Sequence, residues 1–191
     1  MAKVKSQRRG TIELTYAACT GCRLCETACS LFHEATVWPD ASRIRVEQFY
    51  PGPLDIPVIC HRCFERYCVA ACPTSALSYD ASAEVVRLDA KACIQCGACY
   101  QACPHSGAIA PHPKTNYPMQ CDLCDGQPRC VAACPSGCLA WVEGSSFSPS
   151  HYVIKSPAEI ASSMARMYYP AASLDPAALD PAAVLEKKED A

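Results

Sequence analysis

The sequence predicts an α+β chain of short helices and small antiparallel hairpins, arranged as two pseudo-symmetric units followed by a helical C-terminal tail. Two observations carry that prediction. Sixteen of the 17 cysteines among 191 residues fall into four groups of four with nearly constant internal spacing, and such self-similarity marks a repeated structural unit. Leu, Ile, Val and Phe together supply only 34 residues, against 30 alanines, which is little aliphatic bulk for an ordinary core. Half of the letters are apolar, 19% are charged and the formal charge is only −2, a balance that excludes collagen, coiled coil and extended disorder. Something other than hydrocarbon must hold the fold together.

From the N-terminus, Met1 to Gly10 is basic, but no apolar stretch follows. Thr11-Ile12-Glu13 continues as a strand pattern with a charge where an export signal is apolar, so Arg8-Arg9 reads as a solvated pair. No run of about eighteen apolar residues occurs, and no membrane span is expected. An odd number of cysteines cannot be paired completely within the chain. The expected location is the cytoplasm, where thiols stay reduced and free for metal.

The first group is Cys19, Cys22, Cys25, Cys29 and the second Cys60, Cys63, Cys68, Cys72. The third is Cys93, Cys96, Cys99, Cys103 and the fourth Cys121, Cys124, Cys130, Cys134. Groups one and three keep Cys-x2-Cys-x2-Cys-x3-Cys, while groups two and four stretch the middle gap. Pro73, Pro104 and Pro135 directly follow groups two, three and four, each leading into a small-residue turn and an aliphatic. Between groups one and two, Ser42 to Glu47 alternates as a strand and Pro51 to Pro57 reads as a Pro-rich loop. Leu77 to Leu88 reads as a hairpin turning around Asp80 to Ala83. Beyond Trp141, Ser156-Pro157-Ala158-Glu159 is a capping box opening a helix whose apolar face is Ile160, Met164 and Met167, ending at Pro170. Asp175-Pro176 and Asp180-Pro181 repeat the start signal before a last helix over Ala182 to Glu189.

Two residues between successive cysteines let one tight loop aim three thiolates at a compact body while backbone N–H groups turn toward its inorganic sulfides. That body is a 4Fe–4S cube. The fourth cysteine lies on a short helix, and in two-cluster ferredoxins it binds the other cluster. Pro after it removes a backbone donor and turns the chain away. Zinc also takes four thiolates, but its sites usually join two Cys-x2-Cys knuckles across a longer loop. Four 4Fe–4S clusters are therefore expected, and they also answer for the thin core, because metal binding adds to folding free energy.

The groups must work in pairs. Only 20 residues separate Cys72 from Cys93, so groups two and three, about 58–110, resemble one bacterial two-cluster ferredoxin, leaving groups one and four to pair. The rival pairing, one with two and three with four, has less support because 30 residues separate Cys29 from Cys60. The expected domains are a four-cluster unit over 11–150 and a tail over 151–191 that either docks a partner or frays.

From Thr11 to Val142 the chain resembles the ferredoxin-like electron-transfer subunits with four 4Fe–4S clusters that serve molybdopterin and tungstopterin oxidoreductases. The most specific pieces are Cys60-His61-Arg62-Cys63 with Cys68-Val69-Ala70-Ala71-Cys72-Pro73, and Cys121-Asp122-Leu123-Cys124-Asp125-Gly126 with Cys130-Val131-Ala132-Ala133-Cys134-Pro135. Cys22-Arg23-Leu24-Cys25 through His33, followed by Ser42-Arg43-Ile44, resembles the branch accompanying tungsten-dependent aldehyde oxidoreductases. The resemblance implies crossed ligand sets: Cys19, Cys22, Cys25 with Cys134; Cys121, Cys124, Cys130 with Cys29; Cys60, Cys63, Cys68 with Cys103; and Cys93, Cys96, Cys99 with Cys72. The sequence departs from the pattern at Ser30, where the other groups have Pro, at one extra residue before Ala108, and in its long tail.

Cys138, at the position of Ala76 and Ala108, reads as a small packing residue, with an auxiliary thiol as the alternative. His33, His61 and His105 sit beside the cysteines, and each reads as structural before it reads as a potential-tuning donor. Arg62, Arg66 and Arg129 read as surface cations able to steer an acidic partner, and Tyr168-Tyr169 as interface or core.

No dinucleotide fingerprint, phosphate loop or His-Glu-x-x-His motif is present, so no catalytic residue is expected and the implied work is one-electron relay. By resemblance, the partners are a tungsten- or molybdenum-pterin subunit that oxidises an aldehyde and a flavin, NAD-dependent or ferredoxin partner. Self-association end to end is open to such a chain, and no nucleic-acid partner is expected. A hydrogenase or formate dehydrogenase type of oxidoreductase is the alternative, and a zinc-stapled interaction module a third. Four thiolates on each oxidised cube take the net charge to about −10, which favours basic docking surfaces on partners.

Overall fold

The computed structural model describes residues 10–49, 54–144 and 155–168. In order these form β1 (Gly10–Leu14), α1 (Leu24–Glu34), β2 (Ile44–Phe49), β3 (Leu54–Ile59), α2 (Tyr67–Ala70), β4 (Leu77–Asp80) and β5 (Val85–Leu88). There follow α3 (Ala98–Gln101), β6 (Ala110–Pro111), β7 (Pro118–Met119), α4 (Arg129–Ala132), β8 (Leu139–Glu143) and α5 (Pro157–Tyr168). The eight strands make four separate antiparallel pairs: β1 with β8, β2 with β3, β4 with β5 and β6 with β7. This is an α+β arrangement of short helices and small sheets.

The outermost pair has the longest reach. β1 precedes the first cysteine group and β8 follows the fourth, and they pair from Gly10 opposite Glu143 to Leu14 opposite Leu139. Cys25 and Cys29 consequently share one buried cluster with Cys121, Cys130, Ile12 and Leu139. The expected hairpin is β4–β5, from Leu77 opposite Leu88 to Asp80 opposite Val85. The Asp80 carboxylate accepts from Ser82 N–H at 2.9 Å and Ala83 N–H at 3.2 Å, a side-chain cap typical of Asp in turns. That hairpin buries Leu77 and Val86 with Cys68 and Cys99, which belong to groups two and three.

Three short helices have one turn each and give way before Pro73, Pro104 and Pro135. At the first group, Ser30 stands in place of Pro, and α1 runs on for eleven residues to Glu34. The Ser30 hydroxyl donates to Glu26 C=O at 3.0 Å and accepts from Trp38 N–H at 3.1 Å. One residue thus lengthens the helix and fixes the loop that leaves it.

Two expectations need correction. Leu54–Ile59 is a strand, although Pro51 to Pro57 reads as a loop. Pro57 lies opposite Val46, and Val46 directs its polar groups elsewhere: its N–H donates to Glu26 Oε1 at 2.7 Å and its C=O accepts from Arg23 Nη2 at 3.1 Å. A strand with no neighbour on that side tolerates a missing donor. Helix α5 begins at the expected capping box, with Ser156 N–H donating to Glu159 Oε2 at 2.8 Å and Glu159 N–H donating to Ser156 Oγ at 3.3 Å. Its innermost residues are Ala161 and Ala165, packed on Phe49, Leu54, Ile56 and Val58, whereas Met167 is 71% exposed. Small side chains let the helix approach the β2–β3 pair closely, and Ile160 and Met164 flank the contact. The helix expected over Ala182 to Glu189, and Tyr169, lie outside the described residues.

Candidate metal centres

A repeated backbone bend aims the thiols. In each group the second of the two residues between the first and second cysteine is left-handed: Gly21 (φ 65°), Arg62 (φ 53°), Gln95 (φ 57°) and Leu123 (φ 59°). Two residues before the third cysteine, Arg23, Arg66 and Gly97 are left-handed again, so the loop curls before the helix begins. The fourth group departs here, because its longer gap places left-handed Cys124, Asp125 and Gly126 earlier. Three of the four residues in the first set are not glycine, and this conformation costs a residue with a Cβ roughly 1–2 kcal/mol. Such repeated strain needs something at the centre of the loop to sustain it.

The thiols gather across groups. One concavity is lined by Cys19, Cys22, Cys25 and Cys134 with Cys138, and a second by Cys72, Cys93, Cys96 and Cys99. Each of the two concavities thus brings three thiols of one group to the fourth cysteine of another. Burial opposes the ionisation of Cys130, and the charges of Cys29, Cys124 and Cys25 add to it; burial does the same at Cys60, with Cys68, Cys103 and Cys63 near it. Cys121 and Cys130 lie in one buried cluster, with Cys60 packed against it.

Burial keeps several thiols protonated when nothing is bound: it pushes Cys25 and Cys60 up to about 12, and Cys68 and Cys124 up to about 11. Cys72 and Cys134 behave oppositely. A desolvation cost opposes their ionisation, but donors outweigh it and both fall below the ordinary thiol value. At Cys72 the donors include Leu77 and Ala76 N–H, the latter at 3.2 Å, and the Thr74 hydroxyl at 3.8 Å. At Cys134 they are Leu139 and Cys138 N–H and Ser136, whose hydroxyl lies at 3.6 Å. Both turns after Pro therefore build the same nest around the fourth cysteine. Cys19 is lowered to about 7, chiefly by a side-chain hydrogen bond from Cys138.

An all-thiol lining, with four ligand cysteines at each of the two concavities and backbone N–H groups beside the fourth, fits a 4Fe–4S cubane, which takes one thiolate per iron and accepts hydrogen bonds at sulfur. The side chains around the sets are mostly structural. His33 Nε2 lies 3.4 Å from Asp122 Oδ1 and 4.0 Å from Cys124 Sγ. His105 is buried, with Nδ1 2.7 Å from Lys155 C=O and its ring edge-on to His61 at 4.2 Å. Arg62 is no surface cation but is buried 3.9 Å from Glu84. Arg66 stacks over Tyr79 at 3.6 Å, and Arg129 lies over Phe32 at 5.1 Å. The left-handed bends and the contact of Cys138 with Cys19 escape sequence reasoning. Only the glycines at 21, 97 and 126 hint at the bends, and nothing in the spacing signals the contact.

Fold and sulfur sites together define an iron–sulfur electron-transfer protein. Residues 59–109 and 85–135 each match a family model described as a 4Fe-4S dicluster domain, and the chain carries multiple 4Fe–4S clusters. Over 128 residues, 67% of this chain and 73% of the other, it is 47% identical to the polyferredoxin-like subunit of aliphatic sulfonate oxidoreductase of Pyrococcus furiosus. It belongs to this polyferredoxin-like family of 4Fe–4S electron-transfer subunits. The beta subunit of NADH-dependent phenylglyoxylate dehydrogenase of Aromatoleum evansii is 37% identical over 68% of this chain and 29% of that protein. The electron transport protein HydN of Escherichia coli is 30% identical over 65% of this chain and 83% of that one. Among the described residues no helix is long and apolar enough to cross a membrane.

Proposed function

We propose that the chain relays single electrons through four 4Fe–4S clusters held by the crossed cysteine sets, in the spatial order Cys19/22/25/134, Cys121/124/130/29, Cys60/63/68/103 and Cys93/96/99/72. The observation that carries this reading is the pair of concavities in which three cysteines of one group meet the fourth of another. A bound cubane supplies reversible one-electron storage. The protein's part is to hold each sulfur, to aim N–H groups at it and to keep water from the inner sets. Cys121 beside Cys60 joins the two halves of the line, while Cys22 and Cys96 are exposed and mark the ends where electrons arrive and leave. The cluster-bearing unit is 11–150, with groups one and four as one couple and groups two and three, about 58–110, as the other. Within the tail expected over 151–191, α5 packs on β2–β3.

The catalytic partner in this reading is a tungsten- or molybdenum-pterin subunit that oxidises an aldehyde, and the acceptor is a flavin, NAD-dependent or ferredoxin protein. The first group and Ser42-Arg43-Ile44 support the aldehyde branch. The 47% identity to the sulfonate oxidoreductase subunit favours a second substrate class, aliphatic sulfonates. Anaerobic purification of the native complex, with tungsten, molybdenum, iron and sulfide assayed together, tests both. Bleaching of the clusters by aldehydes supports the first and by sulfonates the second. A preparation lacking both metals and any larger partner chain contradicts the pterin reading.

A further inference from the structure

The turn after Pro104 is one residue longer than its counterparts. Pro73-Thr74-Ser75-Ala76 and Pro135-Ser136-Gly137-Cys138 turn left-handed at the second residue after Pro, whereas Pro104-His105-Ser106-Gly107-Ala108 does so at the third. The added residue changes what faces the sulfur of the fourth cysteine. Cys72 Sγ accepts from Ala76 N–H at 3.2 Å, with the Thr74 hydroxyl 3.8 Å away, and Cys29 Sγ accepts from Arg43 N–H at 3.3 Å. The Ser136 hydroxyl stands 3.6 Å from Cys134 Sγ. In the third group Ala108 is the counterpart of Ala76, but its N–H donates to His105 C=O at 3.1 Å. That same carbonyl lies 3.2 Å from Cys103 Sγ, where it accepts from the thiol. His105 also stands where Thr74 and Ser136 carry hydroxyls, and its ring is held elsewhere, buried with Nδ1 2.7 Å from Lys155 C=O.

The turn is clasped from a second side as well. Gly107 C=O accepts from Arg45 Nη1 at 3.3 Å, and a Cβ at Gly107 would lie 2.7 Å from Glu47 Oε1. Held through Lys155 ahead of α5 and through β2, the turn keeps its shape when iron replaces the thiol proton, and the negative end of a carbonyl then faces a thiolate. Hydrogen bonds to the sulfurs help set cluster potentials, because a donor there stabilises the added charge of the reduced state. We infer that the lengthened turn after Pro104 holds the reduction potential of the cluster bound by Cys60, Cys63, Cys68 and Cys103 below that of its neighbour bound by Cys93, Cys96, Cys99 and Cys72. The inference rests on those crossed ligand sets. An electron in this half of the line then settles on the outer cluster, beside exposed Cys96.

The test uses the full-length, anaerobically loaded chain with two turn variants. One lacks Ser106, an exposed residue, and so regains the shorter turn; the other has a glycine inserted between Thr74 and Ser75. Potentials are read by redox titration followed by electron paramagnetic resonance, with iron and sulfide counted, and Cys63→Ser and Cys96→Ser assign the two signals. In the parent the signal altered by Cys63→Ser should titrate at the more negative potential. Loss of Ser106 should raise that potential alone, and the inserted glycine should lower the one altered by Cys96→Ser. Unchanged potentials in either variant at full iron content would overturn the inference. Should neither variant load, the parent decides, since the reverse order of its two potentials overturns the inference equally. If loss of Ser106 moves the signal assigned by Cys96→Ser instead, Cys103 binds with its own group and the crossed ligand set is what fails.

Discussion

Gly21, Arg62, Gln95 and Leu123 share no chemistry, yet each occupies the left-handed bend that turns the second cysteine of its group toward the first. At Gly21 the bend is also crowded, because an added Cβ would lie 2.6 Å from the Asp55 carboxylate, which accepts from Gln48 at 2.9 Å. Gly21→Ala is therefore expected to destabilise the loaded protein by more than the roughly 1 kcal/mol of a left-handed alanine alone, seen as a lower midpoint in thermal unfolding at matched iron content. An unchanged midpoint would mean that the loop relaxes freely. Spacing made the sixteen cysteines legible but not these bends, since three unrelated side chains reach one φ only under the demand of what the loop encloses. Cys138 was illegible for a related reason. Its place in the repeat marks it as small, and only the fold brings it to Cys19.

Helix length turns on one substitution in the repeat. Pro after the last cysteine stops three helices after one turn, and Ser30 lets α1 continue and hold Trp38. Ser30→Pro should cost about 3 kcal/mol or more as an interior proline, and loss of the Trp38 bond adds to it. Chemical denaturation of the loaded protein checks this, and an effect near zero would show that α1 beyond Cys29 adds little. The capping box of α5 gives a milder expectation. Ser156→Ala should lower local stability by about 1 kcal/mol, read as faster amide exchange over 157–168 with iron content unchanged. The hairpin and this helix start were plain in the sequence because their signals are local. Pro57 in a strand and the alanine face of α5 were not. The first depends on Val46 bonding Glu26 and Arg23, the second on a sheet close enough to prefer Ala161 and Ala165 over methionines.

Across the whole molecule, sulfur does the work that aliphatic bulk does elsewhere. Each of two buried clusters mixes cysteines with a few aliphatics and draws on two cysteine groups, the first and fourth in one and the second and third in the other. Removing iron with a strong chelator should therefore unfold the protein rather than empty it, with loss of helical circular dichroism in step with loss of visible absorbance. Retained structure in the bleached protein would contradict this. Removal should also take up protons, because an ordinary thiol titrates about 1.5 units above neutral pH even in an unfolded chain, and the ligating thiolates regain protons when the metal leaves. An unbuffered solution should become more alkaline during chelation.

The crossed joining of the four groups is tested most directly by iron-edge anomalous diffraction from anaerobically grown crystals of the loaded chain. Sixteen irons in a row of four cubanes are predicted, with Cys134 bound beside Cys19 and Cys72 beside Cys93. Four cubanes each bound wholly within one cysteine group, or single metal ions without bridging sulfide, would contradict it.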